Sequence, residues 1–147
     1  GEVTRAHYAR YLVQIGKVSN DGQAFKRYLG GGKSCFVKAE WVDIPTAIET
    51  IHAAGGVAVI AHPMRYNMTG KWIRRLIVDF KQWGGDGMEV SDSGQTKDQR
   101  QYLARLANEY DLAASLGSDF HFPCGWIELG KNLFLPEEVK PIWTLFE

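Results

Sequence analysis

The sequence has 147 residues, of which 45% are hydrophobic and 23% charged, so it has the size and composition of one globular domain rather than a disordered chain. Its 17 Lys and Arg residues balance 17 Asp and Glu residues, which excludes a strongly basic or acidic protein. No apolar run approaches the ~20 residues of a membrane helix, and no signal peptide is visible. The two distant cysteines fit no metal or redox spacing. We therefore expect a cytoplasmic protein that neither associates with a membrane nor requires an obligate protein partner.

The first third of the chain is predicted to be helical. Thr4 is a suitable N-cap for a helix over residues 5–15, and Asn20 or Asp21 opens a second helix, which the glycines from Gly30 onward terminate. Pro45 suits the first turn of a third helix over residues 45–54. Within one domain of 147 residues, we therefore expect a helical segment over residues 1–43 and a different pattern from residue 44.

From residue 44 onward, short apolar runs alternate with amphipathic helices. The runs VAVIA (57–61), GMEVS (87–91) and LAASLG (112–117) are typical of buried strands. Helices are predicted over residues 71–83, 97–110 and 136–146, with Trp72 and Trp83 in the core. This alternation predicts an α/β fold with parallel strands and right-handed crossovers.

Ionisable side chains follow the predicted strands where these end. His62 follows the first strand, Asp119 and His121 follow the third, and Glu89 lies inside the second. The carboxyl ends of parallel strands share one edge of a sheet, where reactive groups collect. The fold is therefore expected to bring His62, Asp119 and His121 together, although they lie far apart in the sequence.

Two imidazoles and one carboxylate are suitable ligands for zinc, manganese or iron. A bound cation makes water nucleophilic near neutral pH and offsets charge on a phosphoryl oxygen. Each residue also has a purely structural interpretation, since a histidine is more often a hydrogen-bonded core residue and Asp119 alone suits a turn or cap. A mononuclear iron site of the oxygenase type is a further alternative, although the regular alternation of helices and strands disagrees with it.

Glu89 is a carboxylate between two apolar residues of a predicted strand. Burying such a charge costs several kcal/mol unless it is paired or linked to a metal. We expect Glu89 either to be a ligand or to hold one in place from behind, and a salt bridge to a nearby arginine explains it equally well.

The segments AHPMRY, GMEV and GSDFH, in this order and at these separations, resemble the C-terminal half of the polymerase-and-histidinol-phosphatase (PHP) superfamily. The longer stretches TRAHYARYLV, YLGGGKSCFV, AIETIHAAGGVAVIAHPMRYN and GSDFHFPCGWIELG are similar to a bacterial PHP subgroup. That subgroup includes the nucleoside 3′,5′-bisphosphate phosphatase and the 5′→3′ exoribonuclease RNase AM. The resemblance covers nearly the whole chain. It implies the C-terminal portion of a distorted (βα)7 barrel, preceded by an N-terminal helical segment.

The resemblance also implies a cofactor and a ligand set. PHP proteins hold up to three divalent metal ions, such as Mn²⁺, Zn²⁺, Fe²⁺ or Mg²⁺, and His62, Asp119 and His121 match ligand positions. The other ligands come from an N-terminal half with a His-x-His motif, and no His-x-His occurs in this sequence. We therefore expect a C-terminal fragment that is inactive by itself. The alternative is a PHP-like module that has lost its metal centre and serves in binding or as a scaffold.

Arg5, His7 and Arg65 are the candidate phosphate contacts. The segment that contains Arg5 and His7 resembles an arm that meets the substrate phosphate in the subgroup, and an arginine fork offers a phosphate two parallel hydrogen bonds. Arg65 follows the AHP turn, on the rim where the predicted ligands lie. A solvated basic helix face is the alternative for Arg5 and His7. The resemblance thus implies a hydrolase that acts on phosphoester bonds of nucleotides or short RNA.

Overall fold

Parallel strands alternate with helices in the second part of the computed structural model, which describes residues 3–121, 123 and 127–146. The chain divides into two units, residues 1–41 and residues 42–147. The boundary lies two residues before the one expected from the sequence, and each unit has a hydrophobic cluster of its own.

The first unit is helical. Helix α1 covers Arg5–Gln14, and α2 covers Asp21–Ala24 and continues as a π-helical turn over Phe25–Leu29. Asn20 caps α2, because its Oδ1 accepts a hydrogen bond from the backbone N–H of Gln23 at 2.9 Å. Ala9, Val18, Ala24 and Leu29 form the small core of this unit. The helical segment predicted from the sequence is present.

The second unit is built on a parallel sheet. Its elements are α3 (Ile44–Ala53), β1 (Val59–Ile60), α4 (Gly70–Gln82), β2 (Gly87–Asp92), α5 (Lys97–Glu109) and β3 (Ala113–Gly117). The strand order is β1-β2-β3, with Val59 opposite Gly87 and Gly87 opposite Ala113. A register shift between Glu89 and Ser91 marks a bulge in β2. The predicted α/β architecture with parallel strands is confirmed.

Helices α4 and α5 supply much of the apolar surface that packs on the sheet. Ile73, Ile77 and Phe80 are buried along α4, and Leu103 and Leu106 are buried along α5, each set at helical spacing. Every residue of β2 is buried, as expected for a central strand covered on both faces. This packing holds the carboxyl ends of the three strands at one edge.

Two sequence-based expectations about the second unit are wrong. The last predicted helix, residues 136–146, is reduced to one 3-10 turn over Ile142–Leu145. Pro141 has no N–H, and it disfavours the helical conformation at Lys140, so the segment instead runs beside β3, where Ala114 N donates to Lys140 O at 2.7 Å. Trp72 and Trp83 are 63% and 41% exposed rather than in the core.

No helix in the described ranges is both long enough and apolar enough to cross a membrane.

Candidate metal and phosphate site

Residues that follow all three strands meet at the carboxyl edge of the sheet. The pairing of β2 with β3 extends to Asp92 and Gly117, so the loops after these strands begin side by side. Arg65, in the 3-10 turn after β1, contacts Asp92 at the end of β2 and Asp119 just after β3. One guanidinium therefore joins the segments after all three strands, since Asp92 lies 27 residues and Asp119 lies 54 residues after Arg65 in the sequence.

Arg65 is held by a bidentate ion pair. Its Nε donates to Asp92 Oδ2 at 2.9 Å and its Nη2 to Asp92 Oδ1 at 3.0 Å, while its Nη1 donates to Asp119 Oδ2. The Arg65 side chain is 38% exposed and the Asp92 side chain only 3%. Three of its five N–H donors are thus engaged, and the remaining N–H on each Nη has no acceptor among the described residues.

Asp92 is a buried carboxylate with a full set of donors. Gly94 N adds a third hydrogen bond to it, at 2.6 Å, beside the two from Arg65. Burial alone would raise the pKa of Asp92, but the hydrogen bonds from Arg65 and Gly94 outweigh it, so its pKa lies below the ordinary value. Asp92 therefore stays ionised and keeps Arg65 in place.

Glu89 lies beneath this edge and is 7% exposed. Its Oε2 accepts the backbone N–H of His62 at 2.5 Å. Burial raises the pKa of Glu89, and the nearby charges of Asp92 and Asp119 add to the rise, although the His62 N–H opposes it. A Cβ on Gly117 would lie 2.7 Å from Glu89 Oε1, so the glycine leaves the space that this carboxylate fills. No arginine among the described residues forms an ion pair with Glu89.

His62 has a strained backbone at the end of β1. Its φ of 34° and ψ of 55° place it in the left-handed region, which residues other than glycine rarely adopt, and the hydrogen bond to Glu89 holds it there. The imidazole packs edge-on against Tyr66, with ring centroids 5.7 Å apart. Its Nδ1 is buried and has no hydrogen-bond partner among the residues that the structure describes.

Asp119 and His121 follow β3, and Asp119 is also left-handed, with φ of 52°. His121 Nδ1 lies 2.8 Å from the carbonyl oxygen of Asp119. Since a carbonyl only accepts, this contact requires the proton on Nδ1 in the neutral imidazole and leaves the lone pair on Nε2. A backbone carbonyl that orients a histidine in this way is typical of metal-binding histidines. The side chain is 72% exposed, so Nε2 is accessible to a ligand.

The side chains at this edge include groups that can bind a divalent metal ion. No group of three or more His, Cys, Asp or Glu side chains within the described ranges is placed to hold a metal ion. The donors are nevertheless of the right kind, because the His121 tautomer leaves Nε2 free and the carboxylates of Glu89 and Asp119 lie at the same edge. The edge therefore offers part of a ligand set.

The first unit holds the other two predicted phosphate contacts. His7 Nδ1 accepts the backbone N–H of Thr4 at 3.0 Å and lies 2.9 Å from Thr4 Oγ1, so this nitrogen caps helix α1 and only Nε2 remains for a ligand. Arg5 is exposed and forms no ion pair with any described residue. Among the described residues, His7 therefore caps a helix and Arg5 is a cation without an acidic partner.

Asp92 is the residue of this edge to which the sequence assigned no role. Its position, one residue beyond the predicted second strand, was the available signal, since carboxylates at strand ends are candidates in parallel folds. The sequence does not reveal that Asp92 binds Arg65, because that pairing depends on how the loops after β1 and β2 approach each other.

The chain is similar in sequence to several known proteins. The chain is 82% identical over 146 residues to a 5′-3′ exoribonuclease from Haemophilus influenzae, covering 99% of this chain and 53% of that protein. It is 50% identical to the 5′-3′ exoribonuclease Rnm of Escherichia coli (100% and 50% covered) and 41% identical to a 3′,5′-nucleoside bisphosphate phosphatase of Chromobacterium violaceum (99% and 51% covered). No protein-family model matches the chain.

Solved structures share the fold. An amidohydrolase from Chromobacterium violaceum with bound sulfate aligns with a TM-score of 0.80 and 41% identity, over 97% of this chain and 49% of that one. A structure described as a metal-dependent phosphoesterase from Bifidobacterium adolescentis aligns with a TM-score of 0.70 and 27% identity, over 92% and 48%. The chain spans about half the length of the curated relatives it matches. Nearly the whole chain is thus homologous to about half the length of an exoribonuclease, a nucleoside bisphosphate phosphatase and a metal-dependent phosphoesterase. This homology agrees with its resemblance to the C-terminal portion of the PHP superfamily.

Proposed function

We propose that the chain supplies one part of the active site of a metal-dependent phosphoesterase. One observation carries the proposal: groups from the ends of all three strands converge, with Arg65 bound to Asp92 and Asp119 and the His62 N–H bound to Glu89. In parallel α/β folds, this edge is where substrates and cofactors bind. The names of the relatives point to the same class of reaction.

The cofactor is proposed to be divalent, with His62, Asp119 and His121 as its ligands from this chain. A bound ion would lower the pKa of a water molecule and offset charge that develops on a phosphoryl oxygen. The His121 tautomer and the left-handed backbone of His62 and Asp119 support this assignment. The remaining ligands would come from residues outside this chain.

The residues that contact the proposed metal ligands are proposed to hold them in position or to bind phosphate. Glu89 holds the His62 backbone in place through its carboxylate, and Asp92 holds Arg65. Arg65 then orients Asp119, and its two remaining N–H groups, which no described residue accepts, are proposed to bind a substrate phosphate. Arg5 and His7 are proposed as further phosphate contacts.

The proposed substrates are nucleotides and RNA. The relatives named as exoribonucleases and as a nucleoside bisphosphate phosphatase share one chemical step, hydrolysis of a phosphoester on a nucleotide. We propose that the whole protein removes phosphate from nucleoside 3′,5′-bisphosphates or trims RNA from its 5′ end. The exposed thiol of Cys35, which has no disulfide partner within the described ranges, is compatible with the cytoplasm as its compartment.

The test uses a full-length protein that contains this chain. Metal content is measured after purification, and release of phosphate from a nucleoside 3′,5′-bisphosphate and of nucleotides from a 5′-phosphorylated RNA is followed. Asp119→Ala is expected to lower kcat by at least about a hundredfold and to lower the metal content, as loss of a ligand does. Asp111→Ala is a matched control, because Asp111 is also left-handed but 96% exposed.

Unchanged turnover in Asp119→Ala would refute the assignment. Absence of hydrolysis in the unmodified full-length protein, together with retained binding of the nucleotide, would instead support the alternative of a binding or scaffold module.

A further inference from the structure

The overall neutrality of the chain conceals a strong division of charge. Residues 1–41 contain seven Lys and Arg residues and three Asp and Glu residues, a net charge of +4. Residues 42–147 contain ten Lys and Arg residues and fourteen Asp and Glu residues, a net charge of −4. The first unit is therefore a basic module of about forty residues, and composition counted over the whole chain hides it.

None of the seven cations of the first unit is neutralised by a described acidic side chain. In the second unit, by contrast, five of the ten Lys and Arg residues form ion pairs with described acidic residues, namely Arg65, Arg74, Arg75, Lys81 and Lys131. Like charges held close together without counter-charges repel, so a compact module that keeps them is suited to an anionic partner.

Three of these cations surround one groove. An open groove of about 580 Å³ is lined by Gln23, Lys26, Arg27, Tyr28 and Lys33, and none of these described lining residues is acidic. Lys26, Arg27 and Lys33 are exposed. Lys33 reaches the groove because the chain turns back after the helix, with Lys33 N donating to Gly30 O at 3.1 Å. The groove thus presents three positive charges.

The walls of the groove are held in place by the fold. Lys26, Arg27 and Tyr28 belong to the π-helical turn, which closes with a hydrogen bond from Gly30 N to Phe25 O at 2.8 Å. Such turns are rare and occur often at functional sites. Tyr28 is half-buried against the core of the unit, and its carbonyl accepts the N–H of Cys35 at 3.0 Å. Its ring is therefore held in place beside the exposed cationic side chains.

We infer that this groove binds the phosphate backbone of a single-stranded nucleic acid. Lysine and arginine side chains along a groove neutralise successive phosphates, and a fixed aromatic ring offers a stacking surface to any base. An open, concave groove suits a strand better than a flat bilayer. The groove would hold nucleotides of the substrate RNA that are not being hydrolysed. That the bound strand is the substrate rests on the proposed function.

Binding is measured directly on the chain, without metal and with a chelator present, so that hydrolysis plays no part. The probe is a fluorescein-labelled single-stranded RNA of about ten nucleotides, followed by anisotropy across a salt series. The test variant is Lys26→Gln/Arg27→Gln/Lys33→Gln. The matched control, Lys71→Gln/Arg105→Gln/Lys140→Gln, removes the same charge from exposed cations of the other unit that form no ion pair with a described residue.

The groove variant is expected to bind at least about tenfold more weakly at low salt, and its log–log salt slope should be smaller by about two, near 0.7 for each lost phosphate contact. The control should keep the affinity and slope of the unmodified chain. Tyr28→Leu should weaken binding about fivefold or more and leave the slope unchanged, since a lost stack carries no charge. Circular dichroism checks folding, and Lys26→Arg/Lys33→Arg should retain binding.

Three results would overturn the inference: no binding by the unmodified chain at low salt, equal losses in the groove and control variants, or preferential binding to phosphatidylserine vesicles. Single-stranded DNA of the same sequence is the second probe, and equal affinity for it identifies the phosphate backbone as the chemistry recognised. Because no step depends on turnover, failure of the phosphoesterase assay leaves this measurement interpretable, and the reverse also holds.

Discussion

Replacing Asp92 by asparagine tests whether one buried carboxylate organises the edge of the sheet. The carboxylate accepts Arg65 Nε at 2.9 Å, Arg65 Nη2 at 3.0 Å and Gly94 N at 2.6 Å, and its side chain is 3% exposed. Asparagine has nearly the same shape but only one acceptor oxygen, so its NH₂ group must face one of these donors. The substitution therefore removes the charge and at least one hydrogen bond without creating a cavity.

The magnitude follows from these contacts. A hydrogen bond to a charged group contributes about 1.5–3 kcal/mol, and removing one partner of a buried ion pair costs about 3–5 kcal/mol. The Arg65 side chain is 38% exposed, so solvent screens its charge, and the lower part of that range applies. We expect Asp92→Asn to lower the free energy of unfolding by about 2–3 kcal/mol.

Urea unfolding followed by circular dichroism measures this change, with Asp111→Asn as the matched control. Asp111 is 96% exposed, lies 3.4 Å from Lys81 and has a left-handed φ that asparagine tolerates, so its substitution should change stability by less than about 0.5 kcal/mol. The pKa of Asp92 is lower in the folded state, so its contribution is complete above its unfolded pKa of about 4 and is lost as the pH falls through the folded value. Equal stabilities of the two variants, or a difference that persists in strong acid, would refute this reasoning.

Three further predictions follow from the packing and the site. Gly117→Ala places a Cβ 2.7 Å from Glu89 Oε1 and should lower the free energy of unfolding by about 1–3 kcal/mol. Gly31→Ala is the control and should be nearly neutral, because its Cβ would have no atom within 4 Å. Urea unfolding of both variants distinguishes the clash at Gly117 from a general effect of alanine. Leu103→Ala, at a fully buried position, should lower the same free energy by about 2–5 kcal/mol, and a loss below 1 kcal/mol would show that α5 is not packed as described. In ¹⁵N NMR spectra of the neutral imidazole, His121 should carry its proton on Nδ1, and a proton on Nε2 would contradict the contact with the Asp119 carbonyl.

The local sequence was sufficient for most of the secondary structure. The predicted helices over residues 71–83 and 97–110 occur as α4 (Gly70–Gln82) and α5 (Lys97–Glu109), because their apolar residues repeat at helical spacing. The three apolar runs occur as β1, β2 and β3, since continuous burial on both faces selects such runs. Local preferences failed where a single residue decided the outcome, as at Pro141, which ended the last predicted helix.

Exposure of individual aromatic residues was less predictable. Trp72 and Trp83 are apolar residues at either end of α4, and periodicity alone places them near its buried face. Both are exposed, because burial depends on what packs against each end of the helix and not on the helix itself.

By itself, the sequence determined which polar residues stand at the ends of which strands, because the alternation of apolar runs and helices requires parallel strands whose carboxyl ends share an edge. Only the tertiary structure decided the partners at that edge: that Asp92 binds Arg65, that Arg65 reaches Asp119, and that Glu89 holds the backbone of His62. These contacts join residues 27 and 54 positions apart. Their formation depends on strand register, on the bulge in β2 and on the left-handed turns at His62 and Asp119, and each of these arises from packing between segments rather than from local preference.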